Sequence, residues 1–246
     1  MSKFLISVGH TASGNTGCGG TGYLNESNCT REIAPLVVAK LKALGHEAIK
    51  LQIDNSDQYD YVKRAQQANS IGGDMFIEIH LNAGGGTGTE VFTTNGSKAY
   101  DSAVRVSEAI SNRLGIPNRG YKTTRGLYVL NNTTMPAMLI EACFVDNEAD
   151  YKAYNAEAIA TAIVEGLTGQ VLESSSKCYV VTDYLPHAYN DYDGVDISYV
   201  LSYFDGVKCY VRGNDKGVWI ETAYITESKA NELKNILGSW FYEIKY

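Results

Sequence analysis

The chain has 246 residues, 44% of them hydrophobic and 20% charged, with a formal net charge of -7. That balance is globular and leaves room for one medium and one small domain. No apolar run approaches the roughly 18 residues needed to cross a bilayer, and no basic stretch offers a face to nucleic acid.

In chain order, residues 1–10 carry one positive charge and a short apolar stretch, and residues 4–8 read as a first β-strand rather than a signal peptide. The expectation is a protein made in the cytoplasm without a leader. Residues 33–44 have apolar helical spacing and stop at Gly45; Pro35 either lies in the first turn or kinks a helix begun earlier. Residues 47–53 are strand-like, 61–71 helical, and 75–80 a nearly continuous apolar strand. Residues 90–94 form another strand. Residues 99–114 form a helix with Ala103, Val106, Ile110 and Leu114 on one face. Residues 127–130 and 138–140 read as short strands and 148–167 as the last helix. Strands alternating with helices predict an α/β fold, an open, mainly parallel twisted sheet with helices on both faces.

A polar seam, Ser174-Ser175-Ser176, follows that helix. It divides the chain into a domain over 1–170, a linker over 171–177 and a small domain over 178–246. Both tryptophans and 10 of the 18 tyrosines lie beyond the seam, so the two parts are built from different residues. The tail predicts strands at 178–185, 208–212, 218–225 and 241–245 and helices near 195–204 and 228–237. That β-α-β-β-α-β order is a small α+β, ferredoxin-like fold. The five cysteines are odd in number and form no CxxC pair. They read as reduced thiols, with a Cys178–Cys209 bridge as the alternative.

Three metal-capable side chains end predicted strands: His10, His80 and Glu141. Functional groups of open α/β sheets gather outside the carboxyl ends of strands. Glu26 follows the glycine-rich loop 14–22 and sits near the start of the next helix, on the same edge. Two imidazoles and one carboxylate suit one zinc ion, and a second carboxylate suits proton transfer. A strand-end histidine is also often a plain hydrogen-bonded residue, and spacing does not decide between the two readings.

Residues 3–169 resemble the zinc-dependent N-acetylmuramoyl-L-alanine amidases of the type 3 family. The resemblance rests on Ser7-Val8-Gly9-His10, then Gly22-Tyr23-Leu24-Asn25-Glu26, then the segment from Arg64 through Ala68-Asn69 to Asp74-Met75-Phe76-Ile77-Glu78-Ile79-His80-Leu81-Asn82-Ala83. Gly88-Thr89-Glu90-Val91-Phe92, Gly126-Leu127-Tyr128-Val129-Leu130 and Met135-Pro136-Ala137-Met138-Leu139-Ile140-Glu141-Ala142-Cys143-Phe144-Val145-Asp146-Asn147 follow in family order. It implies His10, Glu26 and His80 as ligands of one Zn2+ ion and Glu141 as the catalytic glutamate. Two residues depart from the family pattern, Glu78 for serine and Cys143 for glycine. Glu78 shares the face of His80 and is either a partner orienting that ring or a paired carboxylate. Cys143 is either a thiol open to reagents or a small buried hydrophobe. Asn82 reads as a substrate contact or a turn residue, and the Gly84-Gly85-Gly86 loop as giving substrate access.

The implied function is hydrolysis of the amide between N-acetylmuramic acid and L-alanine, in the peptidoglycan of a Gram-positive wall. The biological role is that of a phage endolysin that lyses the cell. A sporulation autolysin of the same chemistry and a zinc peptidase acting on the stem peptide are the alternatives. The tail resembles the peptidoglycan-binding SPOR domains in strand order. It is the expected wall-binding part and the candidate for oligomer formation, with Tyr184, Tyr189, Tyr192 and Trp219 as candidate contacts.

Overall fold

The computed structural model describes residues 1–170, 177–185 and 197–246, and these fall into two compact units divided between Leu172 and Glu173. In the first unit β1 (Lys3–Val8), α1 (Glu26–Ala43), β2 (Glu47–Leu51), α2 (Asp60–Ile71) and β3 (Met75–Asn82) follow one another. Then come β4 (Thr89–Thr93), α3 (Tyr100–Leu114), β5 (Asn118–Thr123), α4 (Tyr128–Asn132), β6 (Ala137–Phe144), α5 (Glu148–Ala153) and α6 (Ala156–Thr168). The six strands form one sheet in the order β2-β1-β3-β6-β4-β5. The first four run parallel; β4 reverses against β6, and β5 runs parallel to β4.

Both sheet faces are covered, and for that reason β1 and β3 read as continuous apolar runs rather than alternating ones. Ile33, Val37 and Leu41 of α1, Val106 and Ile110 of α3, and Ile159 and Ile163 of α6 pack on Ile6, Ile77 and Ile140. On the opposite face Ala65 and Ala68 of α2 and Val129 and Leu130 of α4 pack on Leu5, Phe76 and Leu139. The crossover through α1 thus lies on one face and that through α2 on the other. Between β1 and β3 the winding reverses, and their carboxyl ends open a crevice there.

Several expectations need correcting. Residues 127–130 are not a strand: Tyr128–Asn132 is the short helix α4. A four-residue apolar run looks the same in either state, and here Val129 and Leu130 bury by pointing down onto the sheet. β5 was not anticipated. It is an edge strand of polar sequence, NRGYKT, without apolar alternation. The helix expected over 148–167 is two, because Asn155 turns extended and its side chain caps Ala158 N. His80 and Glu141 do not end their strands, since β3 runs on to Asn82 and β6 to Phe144. Pro35 lies inside α1, which begins at Glu26, with the Asn25 side chain capping Asn28 N.

The second unit has β7 (Lys177–Thr182), α7 (Ile197–Leu201), β8 (Cys209–Asn214), β9 (Gly217–Thr222), β10 (Ile225–Thr226), α8 (Glu227–Leu237) and β11 (Phe241–Lys245). Its antiparallel sheet places β7 beside β9 and β11, with β8 outside β9 and β10 also pairing with β7. Strand order over the four main strands is therefore β11-β7-β9-β8, as in a ferredoxin-like sheet. Ala230, Leu233 and Leu237 of α8 close the core over Cys178, Val180 and Ile220. The five cysteines are free thiols, Cys178 and Cys209 among them. The start of the expected helix near 195–204, the seam 171–176, and Tyr189 and Tyr192 lie outside the described residues. No described helix is long and apolar enough to cross a membrane.

Candidate metal centre

His10 follows β1 by two residues and takes φ 64, the one described non-glycine residue with positive φ. That backbone state costs about 1–3 kcal/mol and persists only where surroundings enforce it. Here Gly9 N still donates to Ile79 O at 3.0 Å, and Arg31 Nη2 holds the His10 carbonyl at 3.1 Å. The chain leaves the sheet between these two anchors and turns the imidazole back over β3. Gly9 is required for the same reason, because a Cβ there would lie 2.5 Å from Ile79 O and 2.7 Å from the His80 ring.

Glu26 is the first residue of α1, where the helix dipole favours a carboxylate. Its Oε2 accepts from Gly20 N at 2.9 Å and its Oε1 from Leu81 N at 3.1 Å. Gly19 leaves space for it, since a Cβ would stand 2.5 Å from Glu26 Oε2 and 2.8 Å from His10 Cδ2. The glycine-rich loop is therefore a close-fitting wall behind the carboxylate. His80, inside β3, completes the group. Glu26 Oε1 lies 3.2 Å from His10 Nε2 and 2.9 Å from His80 Nδ1, and the two rings meet edge to face at 4.7 Å.

One ligand atom from each of His10, Glu26 and His80 falls within 4.8 Å of the others. The donor set fits zinc: two imidazole nitrogens and a carboxylate. Each imidazole also has an acceptor on its far nitrogen, as metal-binding histidines require. His10 Nδ1 faces Gly17 O at 3.1 Å, and His80 Nε2 faces Glu78 Oε1 at 3.3 Å. Glu78 is fully buried and pairs with Arg64, whose Nε is 2.8 Å away; Arg64 in turn pairs with Asp60. Burial works against charge on Glu26 and on His80, yet their contacts prevail. The bonds to both histidines hold Glu26 far below the usual carboxylate range, and Glu26 and Glu78 push His80 up to about 10.

Glu141 lies directly opposite His80 in the β3–β6 pairing and opposite Glu90 in the β6–β4 pairing. Its Oε2 is buried without a hydrogen-bond partner. Burial pushes its carboxyl up to about 7, the protonated His80 pulling against this and Glu26, Glu90 and Glu78 adding to it. A carboxyl poised there can take and return a proton at neutral pH. A cleft of about 440 Å³ opens beside the cluster, lined by His10, Glu78, His80, Tyr61, Leu127 and Tyr128.

The other singled-out residues are placed as follows. Asn82 Nδ2 donates to Glu90 Oε1 at 2.7 Å, and its Oδ1 accepts from Ala83 N at 2.8 Å. Cys143 is fully buried in the main core, and burial pushes its thiol up. Gly84 N and Gly85 N are tied to Asp146 Oδ2 at 2.8 and 2.9 Å, and that loop does not line the cleft described above. Four residues without a role assigned from the sequence stand around the site. Arg64 anchors Glu78, and Arg119 and Lys122 of β5 both pair with Glu90 Oε2. The signal for their roles was weak: Arg64 and Glu90 stood only as landmarks of the resemblance, and Arg119 and Lys122 lie on an edge strand without apolar alternation.

Comparison with known proteins follows this geometry. Residues 5–171 match the model of a family described as N-acetylmuramoyl-L-alanine amidase. The chain is 35% identical over 170 residues to the N-acetylmuramoyl-L-alanine amidase CwlM of Bacillus licheniformis, covering 68% of this chain and 66% of that one. It is 31% identical over 175 residues to an endolysin of Bacillus phage SPP1, covering 68% of this chain and 64% of that one. The matched part spans less than two-thirds of the length of these curated relatives. Among solved structures, the catalytic domain of the CD27L endolysin targeting Clostridia difficile superposes with a TM-score of 0.63 at 31% identity, over 70% of this chain and 99% of that one. On the match over residues 5–171, the chain belongs to the N-acetylmuramoyl-L-alanine amidase family.

Proposed function

We propose that the chain hydrolyses the amide between N-acetylmuramic acid and L-alanine in the peptidoglycan of a Gram-positive wall, with one zinc ion held by His10, Glu26 and His80. Family membership supports the reaction, and the convergence of those three side chains supports the ion. When bound there, zinc supplies a Lewis acid that polarises the substrate carbonyl and lowers the pKa of water. Glu141 does the proton work: it takes the proton of the attacking water and returns it to the departing amine of L-alanine. The observation that carries this role is its buried Oε2, which no neighbour holds, beside the three ligands. Glu78 keeps the His80 ring in place and is itself fixed by Arg64. Asn82 is a candidate substrate contact, since its Nδ2 keeps a second hydrogen beside the one given to Glu90.

The biological role we favour is wall lysis as an endolysin, made in the cytoplasm and acting after release; the match to a phage protein of that name supports it. We assign wall binding to the second unit, residues 178–246, joined through a linker over 171–177. Its support is a cleft of about 290 Å³ lined by Tyr184, Trp219 and Tyr242 with Asp183, Glu221 and Glu243. Aromatic faces beside carboxylates suit the C–H faces and hydroxyls of sugars. The reaction is tested by mass spectrometry of digested walls. An amidase frees the amino group of L-alanine and a new lactyl carboxylate on the sugar; new amino groups only within the stem peptide would make the protein a peptidase instead.

A further inference from the structure

Two cations share one carboxylate, that of Glu90, the cross-strand neighbour of Glu141. Arg119 Nε lies 2.8 Å from Glu90 Oε2, and Lys122 Nζ pairs with the same oxygen. Asn82 holds the other oxygen, Oε1. The cluster therefore keeps a surplus of one positive charge. The two side chains are 37% and 39% exposed, so their remaining N–H groups face solvent. Each cation also rests on a ring, Arg119 over Phe144 at 5.1 Å and Lys122 over Phe92 at 6.0 Å. They are held in place before any ligand arrives, which lowers the entropy lost on binding.

Glu90 is the cross-strand neighbour of Glu141, and neighbouring strands lie about 4.8 Å apart. A peptide advances about 3.5 Å per residue. A stem peptide that left the scissile carbonyl across β4 would therefore bring its first or second residue to the cations. An arginine and a lysine flanking one acid suit a carboxylate. We infer that Arg119 and Lys122 form a specificity-determining subsite for a carboxylate on the stem peptide, at the residue after L-alanine. Amidation of that residue would turn the carboxylate into a neutral carboxamide. This subsite rests on the amidase reading above.

The test uses two soluble N-acetylmuramoyl-tripeptides that differ only in carboxylate or carboxamide at the second stem residue. The full-length protein should cleave the carboxylate form with kcat/KM about tenfold higher, the size of one charge-assisted hydrogen bond. Arg119→Gln and Lys122→Gln should each bring that ratio towards one, chiefly through KM, with the carboxamide form cleaved as before. The ratio is unaffected by a misfolded fraction, which lowers both rates alike. Equal wild-type rates on the two substrates, or variants that lose both in proportion, would overturn the subsite. Failure of the wild type to cleave either would overturn the amidase reading, and the subsite with it.

Discussion

Glu78 is a residue whose value lies in what it touches. It stands 3.3 Å from His80 Nε2 and is fixed by Arg64 at 2.8 Å. Glu78→Gln keeps the shape but replaces the charged acceptor, so zinc affinity should fall about 10- to 100-fold; competition with a chromophoric chelator measures it, and an unchanged affinity would remove Glu78 from the centre. Glu90 gives a prediction in pH. Burial opposes its charge, but Lys122 and Arg119 outweigh this and hold its carboxyl below the usual glutamate range. A depressed folded pKa contributes stability that is complete above the unfolded pKa and is lost as pH falls through the folded one. Glu90→Gln should therefore be the less stable protein at pH 7, and in acid unfolding the gap should narrow as pH falls below the usual glutamate range. At this scale the sequence was legible for side chains flanked by local signals: His10 after an apolar strand, Glu26 after a glycine loop. It was mute on the pairing of Arg64 and Arg119, whose partners Glu78 and Glu90 are supplied by other elements at no fixed spacing.

At the scale of elements, helix contact depends on a glycine. In α6, a Cβ at Gly166 would stand 2.5–2.6 Å from Val106, including its backbone N and Cα. Alanine would favour the helix by about 1 kcal/mol, but α3 would have to move away, and overpacking of this kind costs about 1–3 kcal/mol. Gly166→Ala should lower the urea midpoint; a raised midpoint would mean the two helices part without cost. The legible elements were those with a buried periodic stripe, such as β3 and α3. β5 stayed hidden because an edge strand buries little and carries Arg119 and Lys122 outward. α4 was misread because four apolar residues in a row fit a strand and a single helical turn equally well.

For the whole molecule, the aromatic content of the sequence changes at the seam, and the structure forms two compact units, Met1–Leu172 and Glu173–Tyr246. The function of each is separable under the proposed account. A protein ending at Gln170 should cleave a soluble N-acetylmuramoyl-peptide with kcat/KM within about twofold of the full chain, since the binding unit adds local concentration only on insoluble wall. It should also fail to sediment with purified walls. Undiminished sedimentation would remove the wall-binding role from residues 178–246.

The centre itself is tested most directly by zinc content and cleavage measured together on Glu141→Gln. One zinc per chain is expected, as in the wild type, with release of L-alanine amino groups reduced by at least about a hundredfold. His80→Ala in parallel should lose the metal as well as the reaction. A Glu141→Gln protein that still opens the amide at the wild-type rate, or a wild type that works equally well after its metal is stripped, would contradict this mechanism.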